Sequence, residues 1–268
     1  MGQAKLKRRS HAELLAKSQG CIYCAGTAVA TTIEHMPPIS LFEGRQRPKG
    51  LEFPACQACN NGTGHTDLVA AMLARFWPDK DTAVQQKDAK KIFSAIANNV
   101  PEILHEMNMG RAGVKLARKR HGLSEDVHPL RADGPVLTRH IHTFAAKLGF
   151  ALHYDVTGSP VPSTGGVQVM WFSNVQALKG EIPPVFFDML PSPSSLQQGA
   201  KSVADQFKYS YSPVERDHMV YFATFNRSFA VAGVTALDRK IYLETRQDND
   251  RFPIFVPGDF GSTGTQRP

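Results

Sequence analysis

Apolar positions along this chain fall into two spacings, helical at first and alternating later. Leu68, Val69, Met72, Leu73 and Phe76 follow His65 at the i+3, i+4, i+7, i+8 and i+11 positions of an amphipathic helix, which Trp77-Pro78 stops. Ser10, with Glu13 three residues on, opens an earlier helix that Gly20 closes. Thr82 to Asn98, Pro101 to Met109, the basic stretch from Arg111 to about His121, and Val136 to Leu148 before Gly149 complete the predicted helices. From Phe150 the period becomes two. Phe150, Leu152, Tyr154 and Val156 alternate with Ala151, His153, Asp155 and Thr157, and the pattern returns at Val167 to Trp171 and at Met219 to Phe225. Phe207 to Tyr211, Phe229 to Val234 and Ile241 to Thr245 predict three more strands. Nearer the start, the β-branched run Thr27 to Ile33 predicts a strand ending at Glu34-His35, where Met36-Pro37-Pro38 forces a bend; Leu51 to Phe53 is a brief second strand.

The expected fold class is therefore α+β in four segments. Residues 1–78 form a small finger, 79–133 a helical connector with a basic cluster, 134–256 an antiparallel-sheet α+β domain of unassigned role, and 257–268 a disordered tail. A hydrophobic content of 42% is ordinary for a globular chain. No apolar run nears the roughly 20 residues of a membrane span, and MGQAKLKRRSHAELL lacks the apolar core of a secretory signal, so the expected location is cytoplasmic, away from membranes.

A reducing compartment disfavours disulfides, and the chain's 4 cysteines form two C-x-x-C pairs, Cys21/Cys24 and Cys56/Cys59. Four thiolates so spaced are the complete tetrahedral set of a closed structural zinc site. Such a site has no open position, so it holds a fold together and is not itself the catalyst. The net charge of +7 suits a polyanionic partner. Lys5, Lys7, Arg8 and Arg9 precede the first pair, Arg45, Arg47 and Lys49 lie between the pairs, and Arg111, Lys115, Arg118, Lys119 and Arg120 form a later cluster. The histidines His140, His142, His153 and His218 carry no such spacing and are expected to be structural or surface residues, and Trp171 and Tyr221 alternate like core aromatics.

Between and after the cysteine pairs stand Glu34-His35 at a strand end, Asn60 directly after Cys59, and His65 at a helix start. The segment CIYCAGTAVATTIEHMPPISLFEGRQRPKGLEFPACQACNNGTGH resembles the zinc-braced subgroup of HNH, or ββα-metal, endonucleases, with a treble-clef-like finger. The resemblance runs from about Cys21 to Trp77 and is carried by C-x-x-C, then an acidic residue with His and a Pro-containing turn, then C-x-x-C-N. It implies that Glu34 binds a catalytic Mg²⁺ or Mn²⁺, that His35 is the general base for water, that Asn60 belongs to the site, and that His65 is the last metal ligand, with Asn61 and Asp67 as rivals. Helical phase favours His65, which shares the face of Leu68 and Val69, and turns Asp67 away. The implied activity is hydrolysis of DNA, or RNA, to 5′-phosphate and 3′-hydroxyl ends. The basic arm and loop (Lys5, Lys7, Arg8, Arg9, Arg45, Arg47, Lys49) would grip the phosphates, and the C-terminal domain would add target selection or a protein partner surface. The alternative is a zinc module that binds nucleic acid without cutting it, and a separate function for the C-terminal domain also stays open.

Overall fold

The structure, a computed structural model, describes residues 3–76, 82–213, 217–244 and 252–261. The predicted stop at Trp77-Pro78 lies outside them, as do residues 262–268 of the expected tail. Helix α1 (Gln3–Lys17) leads into a tight turn carrying the first cysteine pair, and it begins well before Ser10. Strands β1 (Thr32–His35) and β2 (Glu52–Ala55) pair antiparallel, with Glu34 opposite Phe53 and His35 opposite Glu52. The first strand is shorter than its β-branched run suggests. Ala25 and Gly26 take left-handed conformations and Cys21 N–H bonds Ala28 O at 2.9 Å, so the chain just before Thr32 is spent on the knuckle turn.

Short helix α2 (Gln57–Asn61) and helix α3 (Gly64–Leu73) follow the hairpin, then α4 (Ala83–Asn99), α5 (Pro101–Met107) and α6 (Gly110–His121). Thr82 caps α4 through a reciprocal box with Gln85, which fixes its start where the sequence places it.

Helix α7 (Pro135–Thr157) is the largest departure from expectation. One helix replaces the predicted helix to Leu148 and the strand from Phe150. From Phe144 to His153 every residue of α7 is buried, so there is no polar stripe to reveal a helical period, and the run reads equally well as alternation. Gly149 is not a stop. A Cβ there would lie 2.7 Å from Val167 Cγ1 and 2.8 Å from Tyr221 Cε1, so glycine lets the helix backbone approach the sheet. Gly149→Val is accordingly expected to cost about 1–3 kcal/mol by overpacking, measured by urea denaturation; unchanged or raised stability would show that the close approach is not needed.

The sheet beneath α7 is fully antiparallel in the order β6-β7-β8-β3-β9, comprising β3 (Gly166–Ser173), β6 (Phe207–Tyr211), β7 (His218–Phe225), β8 (Phe229–Ala236) and β9 (Ile254–Phe255). Between β3 and β6 lie α8 (Asn174–Leu178), α9 (Val185–Asp188) and a small ribbon of β4 (Gln197–Gln198) and β5 (Lys201–Ser202). Met219, Tyr221, Ala223 and Phe225 face α7 and are fully buried, and Tyr221 Oη donates to Ala145 O at 2.7 Å. The opposite face carries a smaller cluster around Phe172, Phe186 and Phe222. Where a strand from Ile241 is expected, the chain forms a short helix, α10 (Lys240–Glu244), while Tyr242 Oη bonds the carbonyls of Gly166 and Val234. His153, read as a strand residue, sits on α7 with Nδ1 3.2 Å from Thr235 Oγ1.

One hydrophobic core runs through all of this. It joins Ile22, Tyr23 and Phe53 near the hairpin, Ile103 and Met107 of α5, the inner side chains of α7, and the sheet. Residues 257–261, assigned by sequence to a disordered tail, also enter it. Phe260 packs edge-on against Tyr23 and Phe150, and Gly258 N–H bonds Tyr23 O at 2.8 Å. Among the described residues no helix is long and apolar enough to cross a membrane.

Candidate functional site

The four cysteines meet. Two knuckle turns, one at Cys21–Cys24 and one at the start of α2, bring four Sγ atoms within 4.8 Å of one another, and none forms a disulfide. Zn–S bonds of about 2.3 Å in a tetrahedron place the sulfurs about 3.8 Å apart, so the donor set fits a zinc ion. The electrostatics point the same way. The Cys59 thiol hydrogen-bonds Cys21 and holds it down to about 5, against the effect of burial, while the same contact and burial drive Cys59 far above the usual thiol range. Crowded thiols cannot all ionise without a cation among them.

Antiparallel pairing gives the hairpin two faces, with alternate side chains on each. Glu34 points to the inner one. It is 3% exposed, and its Oε1 lies 3.2 Å from Nζ of Lys147, a fully buried residue of α7. Lys147 also donates to Thr63 Oγ1 and stands 5.4 Å from the centre of the Tyr23 ring. Asp67 shares this field. Its Oδ1 and Glu34 Oε2 are shielded from solvent without a hydrogen-bond partner. Burial pushes the Glu34 carboxyl up to about 7 and raises Asp67, with the Lys147 ammonium opposing both shifts.

His65, by contrast, is exposed, and its charge is felt by His140, which burial pushes down to about 4. The phase argument for α3 is therefore corrected: Asp67 turns inward and His65 outward. Val69, Ala70, Met72 and Leu73 bury a broad arc because α3 packs on α7 and α4 as well as on the turn at Ile39–Leu41 between the hairpin strands, and Leu68 is only partly buried. Glu34 and His65 do not fit a shared Mg²⁺ or Mn²⁺. An internal ammonium already neutralises Glu34, and neither residue joins a group of three ligating side chains among the described residues.

The outer face has such a group. His35 and its cross-strand partner Glu52 lie side by side, with Nε2 3.7 Å from Oε1, and His11 of α1 brings its Nε2 to 3.2 Å from Glu52 Oε2. The two imidazoles meet edge to face with centroids 6.0 Å apart. All three side chains are partly open, at 23% exposure for His11, 19% for His35 and 15% for Glu52. Pro37-Pro38 thus do not fold Glu34 and His35 onto one site; the pleat keeps them on opposite faces. Asn60 has a positioning role, with Nδ2 donating to Thr32 Oγ1 at 2.9 Å and Thr32 Oγ1 donating to Ala55 O at 3.0 Å, which ties α2 across the hairpin.

The predicted phosphate-gripping residues divide. Arg45 and Lys49 are exposed, and the side chains of Lys5, Lys7, Arg8 and Arg9 lie outside the described residues. Arg47 is corrected to a structural clamp. Its guanidinium donates to the carbonyls of Met36, Pro37, Pro48, Gly50 and Leu51, and burial lowers it to about 10 against the pull of Glu52 and Glu34. Sequence reasoning passed over His11, Glu52 and Lys147. Glu52 had a signal, since pairing the two predicted strands sets an acidic residue opposite His35; His11 and Lys147 had none, being brought in from distant segments.

No family model matches this chain, and neither a curated protein nor a solved structure matches it.

Proposed function

We propose that this chain is a metal-dependent, zinc-braced nuclease of the HNH type that hydrolyses phosphodiester bonds in nucleic acid, with its reactive centre at the His35 end of the hairpin. The observation that carries the reading is the juxtaposition of His35, Glu52 and His11 on the open face of a hairpin held by four clustered cysteines. The spacing of the C-x-x-C pairs around Glu34-His35 and Asn60 supports the family resemblance, and with it a treble-clef-like arrangement and 5′-phosphate products. Hydrolysis requires water to be deprotonated as it attacks phosphorus, and requires charge to be neutralised on the phosphoryl oxygens. Imidazole and carboxylate side chains are the groups suited to this, and here they are partly exposed at the residue level, with His35 Nε2 itself covered, whereas Glu34 is enclosed. Arg45 and Lys49 are the described basic residues of the loop that remain free to meet phosphates, and their contribution is independent of base sequence.

A second reading, a zinc module that binds nucleic acid without cutting it, is favoured by one observation: Lys147 occupies the carboxylate that the family resemblance assigns to the catalytic ion. Cleavage assays separate the two. Supercoiled plasmid and single-stranded DNA and RNA, incubated with Mg²⁺, Mn²⁺ or Zn²⁺, should be cut by the wild type, and His35→Ala should lower the rate about a hundredfold or more. Equal cutting by both proteins would overturn the assignment of His35; retention in gel shift with no cutting by the wild type would establish the binding module.

A further inference from the structure

The geometry assigns His11, His35 and Glu52 as a divalent metal site, selective for transition ions such as Mn²⁺, Co²⁺ or Zn²⁺ over Mg²⁺; as the cofactor site of the reactive centre it builds on the nuclease reading, but its metal binding can be tested alone. Two ligand atoms about 2.1 Å from one ion, at octahedral or tetrahedral angles, are about 3.0–3.4 Å apart. The His11–Glu52 Oε2 separation of 3.2 Å falls within that range, the His35–Glu52 Oε1 separation of 3.7 Å lies above it, and the three donor atoms lie within 4.8 Å of one another. Modest closure of His35 completes the set.

The frame behind these donors is firm. Glu52 and His35 are register partners across the hairpin, so backbone pairing fixes their spacing. Arg47 donates to the carbonyl of the residue next to each, Met36 after His35 and Leu51 before Glu52. His11 projects from a helix that packs on both strands. Both histidines present Nε2 to the carboxylate.

Donor chemistry selects the ion. Two imidazole nitrogens and one carboxylate suit Mn²⁺, Fe²⁺, Co²⁺, Ni²⁺ or Zn²⁺, while Mg²⁺ requires oxygen ligands in strict octahedral array. Three protein ligands leave coordination positions open, in contrast to the closed set of four cysteines. When bound, such an ion supplies Lewis acidity to a phosphoryl oxygen and lowers the pKa of water. His35 then serves as a ligand, which replaces the role of free general base that the family resemblance implies for it. The site also gives α1 a reason to dock: an ion gripped by His11 fastens the basic segment Lys5 to Arg9 beside the hairpin.

Equilibrium dialysis of the full chain against Mn²⁺, Co²⁺ or Zn²⁺, followed by elemental analysis, tests this. Wild type should take up one equivalent beyond the thiolate-bound zinc. His11→Ala and Glu52→Gln should each lose that equivalent, or bind it at least tenfold more weakly, while keeping the first zinc and an unchanged circular dichroism spectrum; Glu34→Gln should keep both. Bound Co²⁺ should show ligand-field bands without thiolate charge-transfer absorption. A wild type that holds only the thiolate-bound ion, or a second equivalent that survives both substitutions, would overturn the site. A second equivalent that responds as described, in a protein that cuts no nucleic acid, would uphold the site and sink the nuclease reading.

Discussion

Replacing Cys59 by Ser is expected to abolish zinc binding by the four-cysteine cluster and to unfold the region around the hairpin, the largest effect expected of a single substitution. Cys59 is buried, its thiol contacts Cys21, and its N–H bonds Cys56 Sγ at 3.5 Å, so it is central to the cluster. Structural zinc in small finger peptides carries apparent binding energies of about 10–16 kcal/mol. Against a total domain stability of about 5–15 kcal/mol, a loss of that size removes most or all of what keeps the chain folded. The damage should not stop at the hairpin, because Ile22 and Tyr23 belong to the same core as α7 and the sheet. Elemental analysis should show the metal gone, and thermal scans should show a broad transition or none. A Cys59→Ser protein that melts within a few degrees of wild type would mean that the core, not the metal, holds the hairpin in place.

Lys147→Met should be the next most damaging change, at about 3–5 kcal/mol. The substitution preserves length and apolar bulk but removes the ammonium that faces Glu34 and Asp67, and a buried carboxylate without a cation is far costlier than a neutral one. Glu34 then has to take up a proton to stay inside. Neutralising the carboxylates should therefore rescue the variant: the triple change Lys147→Met, Glu34→Gln, Asp67→Asn should recover much of the lost stability in urea. If Lys147→Met costs under about 1 kcal/mol, or if the triple variant is no more stable than the single, the charges are not coupled and Lys147 is simply well packed.

These two expectations differ in how far the sequence foretold them. The four-cysteine cluster was legible because its members lie in local C-x-x-C turns, whose geometry is set within a few residues, and the hairpin between them followed from Pro37-Pro38 and Pro54. Helices α4, α5 and α6 and strands β3, β6, β7 and β8 were legible for the same reason: caps, breakers and alternation act locally. Lys147 was not, since the partners it meets lie in β1 and around α3, and no pattern in the chain marks which lysine is enclosed. The same limit explains α7. A helix covered on one side by the hairpin region and on the other by the sheet has no exposed stripe, and its Gly149 serves close packing where the sequence suggests an end. At the candidate site, Glu34 and His35 were recognised as a pair but not as residues on opposite faces. Once the register is known, the pleat decides that one is enclosed and the other joins Glu52.

The return of residues 257–261 to the first knuckle bears on how readily the metal can be lost. Phe260 O approaches Gly62 so closely that a Cβ there would lie 2.1 Å away, and Gly261 comes within 3.8 Å of Cys59 Sγ as measured from its Cβ position. Oxidants and competing chelators must therefore displace this segment before they reach that sulfur. Trimming the chain before Pro257 is accordingly expected to hasten metal transfer from the cysteine cluster to a chromogenic chelator, with all four cysteines still in the chain.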